Sequence, residues 1–217
     1  MRLETLAIHA GAEPDSETGA VASPLHLSTT FKHGPAGERV AGYEYQREAN
    51  PTQDRLEVCL AALEGGERAL AYASGMAAMA GLLESLPNDS HVLIPYDCYT
   101  GLRYLGAEFL NLRGIETQAI DMSDLQLVSD SLKPNTKLIW AETPSNPLLA
   151  IADIAELARI AHQHGALLAC DNTFATPVLQ QPLKLGADVV MHSTTKYFGG
   201  HSDVMGGALV FAKANAF

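Results

Sequence analysis

The sequence predicts an α/β fold: three layers, α/β/α, around a mostly parallel sheet. Three observations lead there. From about residue 51 onward, strand-length and helix-length segments alternate. The strand-length segments, such as KLIWAET (137–143) and ADVVMHS (187–193), are continuous apolar runs, as strands buried on both faces are. The segment 153–164 carries Ile154, Leu157, Ala158 and Ala161 on one helical face, which gives it a side to lay against such a sheet.

Residues 1–50 precede this pattern. Gly11, Pro14, Gly19, Pro24, Gly34, Pro35, Gly37 and Gly42 break any helical or strand period, which predicts an irregular arm. Leu25, Leu27, Phe31, Tyr43 and Tyr45 are too apolar for a purely solvated tail. Residues 51–217 form the regular domain. Thr52, after Pro51, is the candidate cap of a first helix; Leu56, Leu60 and Leu63 follow at helical spacing, and Gly65-Gly66 stops it. ALAYAS (69–74) reads as a short buried strand and residues 75–86 as a helix rich in Ala, Met and Leu. HVLIPYD (91–97) reads as a strand, 102–112 as a helix, 115–120 and 137–143 as strands. Gly165 closes the helix at 153–164, and ALLACD (166–171) is the next strand. Residues 177–185 form a short helix or turn, and 187–193 and 206–212 are the last strands.

Composition excludes some functions. Lys plus Arg number 14 against 25 Asp plus Glu, a net charge of −11. No basic cluster offsets that balance, so nucleic acid is not an expected partner. The longest uncharged run, Ala69 to Leu83, is too short for a bilayer and contains glycine, serine and tyrosine. The start, MRLETLAIHAG, lacks the apolar core of a signal peptide. A cytoplasmic protein with no membrane partner is therefore expected. Cys59, Cys98 and Cys170 are not spaced like a zinc site or a redox pair and read as free thiols. His162 and His164, two apart, diverge on a helix, and no metal is expected. Trp140 reads as core, and His192 and His201 as polar neighbours of the site rather than its chemistry.

The chemistry gathers at predicted strand ends. Ser74, Tyr99, Asn146, Asp171 and Ser193 each follow an apolar run, and open α/β sheets bind ligands at the carboxyl ends of their strands. Asp171 comes after five apolar residues, which predicts a poorly solvated carboxylate. Such a group caps a helix, joins a buried ion pair, or holds a proton on a heterocyclic nitrogen. Lys196 stands three residues past a buried strand with few charges near it, a setting that favours a nucleophile or base; a plain solvated loop lysine is the alternative. Ser193 and Thr195 flank it with hydroxyls. Ser74-Gly75-Met76 opens a helix whose free N–H groups and positive dipole end suit a phosphate, although a serine there also serves as a cap. A phosphate cradle, a carboxylate for a ring nitrogen and a reactive lysine are what pyridoxal 5′-phosphate requires of a protein. A nucleotide-binding α/β protein is the rival, and it lacks both a GxGxxG after the first strand and a GxxxxGK[ST] loop.

Six ordered stretches carry a specific resemblance: YEYQREANPT (43–52), ASGMAA (73–78), PYDCYTG (95–101), ETPSNPLL (142–149), DNTFATP (171–177) and HSTTKYFGGHSDVMGG (192–207). With them, the chain from about Thr5 to about Phe211 resembles the Cys/Met-metabolism (trans-sulfuration) family of pyridoxal-phosphate enzymes. The resemblance implies a fold type I large domain over 51–217, with 1–50 as an arm reaching a neighbouring subunit. It implies that Lys196 forms the internal Schiff base, that Asp171 pairs with the pyridine nitrogen, and that Asn146 bonds the phenolic oxygen with Thr173 beside it. It implies that Tyr99 stacks on the ring and shares in proton transfer, and that Ser74, Gly75, Met76, Ser193 and Thr195 hold the phosphate. Tyr45 and Arg47 match residues that reach the partner's phosphate, which implies a homodimer pairing into a homotetramer. Gln46 replaces the serine often found in the Tyr-x-Arg stretch, and Thr100-Gly101 replaces the usual Gly-Gly.

The implied activity is γ-replacement on an acylated homoserine by cysteine, within the cystathionine-forming branch. Cystathionine γ- or β-cleavage and homoserine sulfhydrylation are the alternatives, and a catalytically silent scaffold is the non-enzyme one. Family members are roughly twice as long, which implies a C-terminal domain that clamps the substrate carboxylate and is missing from these 217 residues.

Overall fold

A computed structural model describes residues 1–214. The chain divides into two compact units, one spanning Met1–Leu63 and the other starting at Glu64.

The first unit is more ordered than its glycine and proline content predicts. Helix α1 (Leu3–His9) forms near its start. Phe31 and Tyr43 stack with centroids 5.3 Å apart, and a bridge joins Thr30 to Tyr45. Helix α2 (Pro51–Glu64) is capped by Asn50, whose Oδ1 accepts the Thr52 N–H at 2.8 Å. The expected cap, Thr52, sits instead inside the first turn. Proline at the first helical position makes the residue before it the cap, and asparagine is among the best at that job.

The second unit is the predicted layered fold. Its strands are β1 (Arg68–Tyr72), β2 (His91–Pro95), β3 (Glu116–Ile120), β4 (Thr136–Glu142), β5 (Leu167–Asp171), β6 (Val189–His192) and β7 (Gly207–Phe211). They form one sheet in the order β1-β7-β6-β5-β4-β2-β3. The pairs β3–β2, β2–β4, β4–β5 and β5–β6 are parallel, while β7 runs antiparallel to both β6 and β1. Two antiparallel pairings in succession restore direction, so β1 points the same way as β6.

The apolar runs alternate between two cores. Val92, Ile94, Leu138 and Trp140 face one side with Met79, Leu82 and Leu83 of helix α3 (Gly75–Glu84) and Leu102 and Leu105 of helix α4 (Thr100–Glu108). Leu93, Ile139, Leu168 and Cys170 face the other, with Val128 of helix α5 (Leu125–Asp130) and Leu157 and Ala161 of helix α6 (Ile154–His164). A strand packed on both faces needs no polar positions, which is why its sequence lacks alternation.

Helix ends follow local chemistry. Ser74, Asp124 and Asp153 each accept an N–H from three residues on, and Gly165 takes a left-handed conformation at φ 76°. The predicted helix over 102–112 ends earlier, at Glu108, and a 3-10 turn over Leu110–Arg113 follows. Helix α7 (Thr176–Leu179) and a second 3-10 turn (Pro182–Leu185) fill the stretch expected to be short and helical.

Trp140 is fully buried, and its indole N–H has no hydrogen-bond partner among the described residues. Trp140→Ala should cost about 3–5 kcal/mol in denaturant unfolding. Trp140→Phe should cost well under half of that, because it keeps most of the ring and removes an unpaired buried donor.

Candidate active site

Because β1 points with the parallel strands, six strand ends point to one edge, and those of β1, β2, β4, β5 and β6 lead into predicted site residues. The antiparallel β7 begins at that same edge. A cavity there is lined by Ser74, Gly75, Met76, Tyr99, Asn146, Asp171, Thr173, Ser193, Thr195 and Lys196, together with Met79, Glu142, Pro144, Phe174, Met191 and Met205. Ten of the twelve sequence-predicted site residues thus share one wall system. Tyr45 and Arg47 belong to the first unit, where both are exposed and the Arg47 guanidinium carbon lies 5.0 Å over the Tyr45 ring.

The cradle depends on two glycines. A Cβ on Gly75 would lie 2.8 Å from Cβ of Ser193, and one on Gly207 would lie 2.1 Å from the Ser74 carbonyl oxygen. The start of β7 and the end of β6 therefore press directly against the first turn of α3. The Ser74 hydroxyl accepts the Ala77 N–H at 3.1 Å, so it caps α3 while it lines the cavity.

The loop after β6 is tied back to β7. The Thr195 hydroxyl donates to the Gly206 carbonyl and accepts the Gly206 N–H, both at 3.1 Å. Lys196 follows at once. Its backbone N–H bonds the Ser193 carbonyl at 3.1 Å, and its side chain is exposed, with no hydrogen-bond partner among the described residues. The lysine is open to solvent in the single chain rather than shielded.

Asp171 ends β5 and is 7% exposed. It makes no ion pair among the described residues and serves no helix as a cap. Its Oδ1 accepts the Thr173 N–H at 2.9 Å, and the Thr173 hydroxyl in turn accepts the Ser193 N–H at 2.9 Å. Burial raises the Asp171 carboxyl above the usual range, while the Thr173 bonds and nearby His192 oppose the rise.

Glu142, a site residue that sequence reasoning missed, stands opposite Asp171 in the β4–β5 ladder. Its oxygens accept the Asn146 N–H at 2.8 Å and the Tyr99 N–H at 2.9 and 3.2 Å. Burial first, and the Asp171 charge second, push its carboxyl up to about 8. Behind β5 and β6 a second polar group is fully buried. His192 Nε2 lies 2.6 Å from Glu64 Oε1, which also accepts from Asn172 at 2.8 Å, and His192 Nδ1 has no partner among the described residues. The expected supporting role for His192 is thus half satisfied, whereas His201 is exposed and bonds the Gly199 carbonyl. Cys98 is buried outside the cavity wall, and burial pushes its thiol up to about 12, so it is no nucleophile.

A family model described as Cys/Met metabolism PLP-dependent enzyme matches residues 4–216. The chain belongs to that family. Its fold is accordingly that of the pyridoxal-phosphate enzymes of sulfur amino-acid metabolism, and pyridoxal 5′-phosphate is the family's cofactor. It is similar to a probable cystathionine gamma-synthase of Herpetosiphon aurantiacus, 48% identical over 95% of this chain and 64% of that protein. It is similar at 47% identity to the cystathionine gamma-lyase of Bacillus subtilis, over 98% of this chain and 56% of the lyase. Among solved structures, metB from Corynebacterium glutamicum superposes with a TM-score of 0.95 at 46% identity, over 97% of this chain and 55% of that one. The chain spans about half to two thirds of the length of these relatives, and its identity to a synthase and to a lyase is nearly equal. No helix of the described residues is long and apolar enough to cross a membrane.

The raised Glu142 carboxyl has a measurable consequence in the cofactor-free protein. In the fold Glu142 stays protonated to about pH 8, and once unfolded it ionises near 4.5. Between those values the unfolded chain binds fewer protons, so stability falls as pH rises. Asp171 adds a fall of the same sign. Denaturant unfolding across pH 4.5 to 8 should show this decline, and Glu142→Gln should flatten it; a slope unchanged by that substitution contradicts the assignment.

Proposed function

We propose that this cavity binds pyridoxal 5′-phosphate through Lys196 and that the protein acts on sulfur amino acids, most closely as a cystathionine γ-synthase. One observation carries the reading: a buried, unpaired Asp171 and an unpaired Lys196 line the same cavity as the N-terminus of α3. When bound, the cofactor supplies an electron sink for charge left at the substrate's Cα.

The residues present fit that group. The glycine-tight first turn of α3 admits a phosphate to the backbone N–H groups of Gly75 and Met76, and the Ser193 and Thr195 hydroxyls stand nearby. Asp171, buried without a cation, suits a protonated ring nitrogen, which would return its carboxyl to the ionised form. Asn146, whose side-chain amide has no partner among the described residues, is assigned to the ring's phenolic oxygen, with Thr173 beside it. Tyr99 covers the ring face. Lys196 would hold the cofactor and would serve as the base for the substrate's Cα proton.

Residues 1–50 are assigned as an arm and 51–217 as the cofactor-binding domain. Tyr45 and Arg47 of the arm are assigned to the phosphate of a second copy in a homodimer, two of which make a tetramer. A further domain that clamps the substrate carboxylate completes the working enzyme, and the cytoplasm is its expected location. The synthase is preferred over cystathionine γ- or β-cleavage because PYDCYTGLRY and ETPSNPLL resemble that branch most closely.

Purified protein given pyridoxal 5′-phosphate should develop the visible band of a lysine-bound cofactor, and Lys196→Ala should abolish it. A protein that takes up no cofactor contradicts the reading. Supplied with an acylated homoserine and cysteine, the enzyme should release cystathionine. Pyruvate or 2-oxobutyrate released from cystathionine instead assigns it to the lyases.

A further inference from the structure

We propose that Glu142 is a positioning residue for the cofactor site, its carboxyl holding the Tyr99 and Asn146 backbones at a fixed distance from Asp171. The inference rests on the assignment of Tyr99 and Asn146 to the cofactor ring.

The geometry is specific. Tyr99 precedes helix α4 on the turn after β2, and Asn146 lies on the loop after β4, so both lie beyond the ladder that pairs the two strands. Glu142 is the element they share, since one carboxyl accepts both amides at 2.8–3.2 Å. The same residue is registered against Asp171 across the β4–β5 ladder. Three residues assigned to the ring's face, its oxygen and its nitrogen are therefore referred to a single side chain.

Glu142 is not needed to shape either loop. The 143–150 loop closes on itself: Ser145 Oγ accepts the Ala150 N–H at 2.8 Å, and Ser145 N–H bonds the Ala150 carbonyl at 3.0 Å. The Thr143 hydroxyl accepts the Ala152 N–H at 3.0 Å. Buried Asp97, on the β2–α4 turn, accepts the Ser145 hydroxyl and the Leu148 N–H, which joins the two loops independently. With the loops held this way, what Glu142 adds is the placement of two amides.

Choosing a carboxyl for that task is costly. A second acid buried beside Asp171, with no cation paired to it among the described residues, is strained toward its neutral form. In its ionised form the carboxyl offers two acceptor oxygens for N–H groups arriving from separate loops, whereas a carboxamide offers one oxygen and turns an NH2 group toward the other amide.

Glu142→Ala and Glu142→Gln are compared with the unaltered protein by pyridoxal 5′-phosphate titration and by visible circular dichroism of the bound cofactor, which reports ring orientation. Glu142→Ala should bind the cofactor roughly 10- to 100-fold more weakly, the range typical of lost positioning contacts. Glu142→Gln should bind with a smaller loss and a reduced visible dichroism. Should Glu142→Ala fail to fold, Glu142→Gln alone decides. A Glu142→Gln protein with unaltered affinity and unaltered dichroism overturns the proposal and leaves the cofactor assignment standing. Unaltered protein that binds no cofactor overturns both.

Discussion

The parallel register between β4 and β5 is the constraint on which the site depends. It sets Glu142 beside Asp171 at the ends of two strands whose preceding residues are buried on both faces. Each residue is 7% exposed, and each carboxyl finds its partners in place. Asp171 finds Thr173, and Glu142 finds the two loop amides. The acids thus convert a rigid ladder into fixed positions for residues that lie on loops, which is how a sheet lends precision to a site built at its edge.

The second constraint is the antiparallel insertion of β7 between β6 and β1. It keeps β1 aligned with the parallel strands and brings the first turn of α3 to the same edge as Asp171 and the Lys196 loop. Gly75 and Gly207 are the condition for that closeness, because a methyl group at either would collide with Ser193 or Ser74. The exposed N–H groups of a helix start are common; here backbone packing on two sides directs one into a cavity that also holds a buried acid and an unpaired lysine.

Much of this was legible in the sequence, for identifiable reasons. KLIWAET and ADVVMHS announce two-faced burial because a strand covered on both sides has no polar positions to show. Asp171 is legible because an isolated charge after an apolar run is costly to bury unless it has a task, whereas Lys196 is exposed and is marked by the motif around it rather than by burial. Glu142 was not legible, since an acid at a strand end before Thr-Pro looks like any solvated loop residue, and its meaning comes from a neighbour 29 positions away in the chain. Glu64 is opaque for the same reason: it closes a helix, and its partner His192 lies far along the sequence. Helix α1 was obscured by the glycines and prolines that follow it, and the cap of α2 by reading Pro51 as outside the helix when it is its first residue.

If this chain's own residues form a pyridoxal 5′-phosphate site anchored on Lys196, chemical reduction of the cofactor-loaded protein followed by peptide mass mapping should find a single pyridoxyl label, on the peptide containing Lys196. A label on another lysine, such as Lys184 or Lys133, or no label at all, would contradict it.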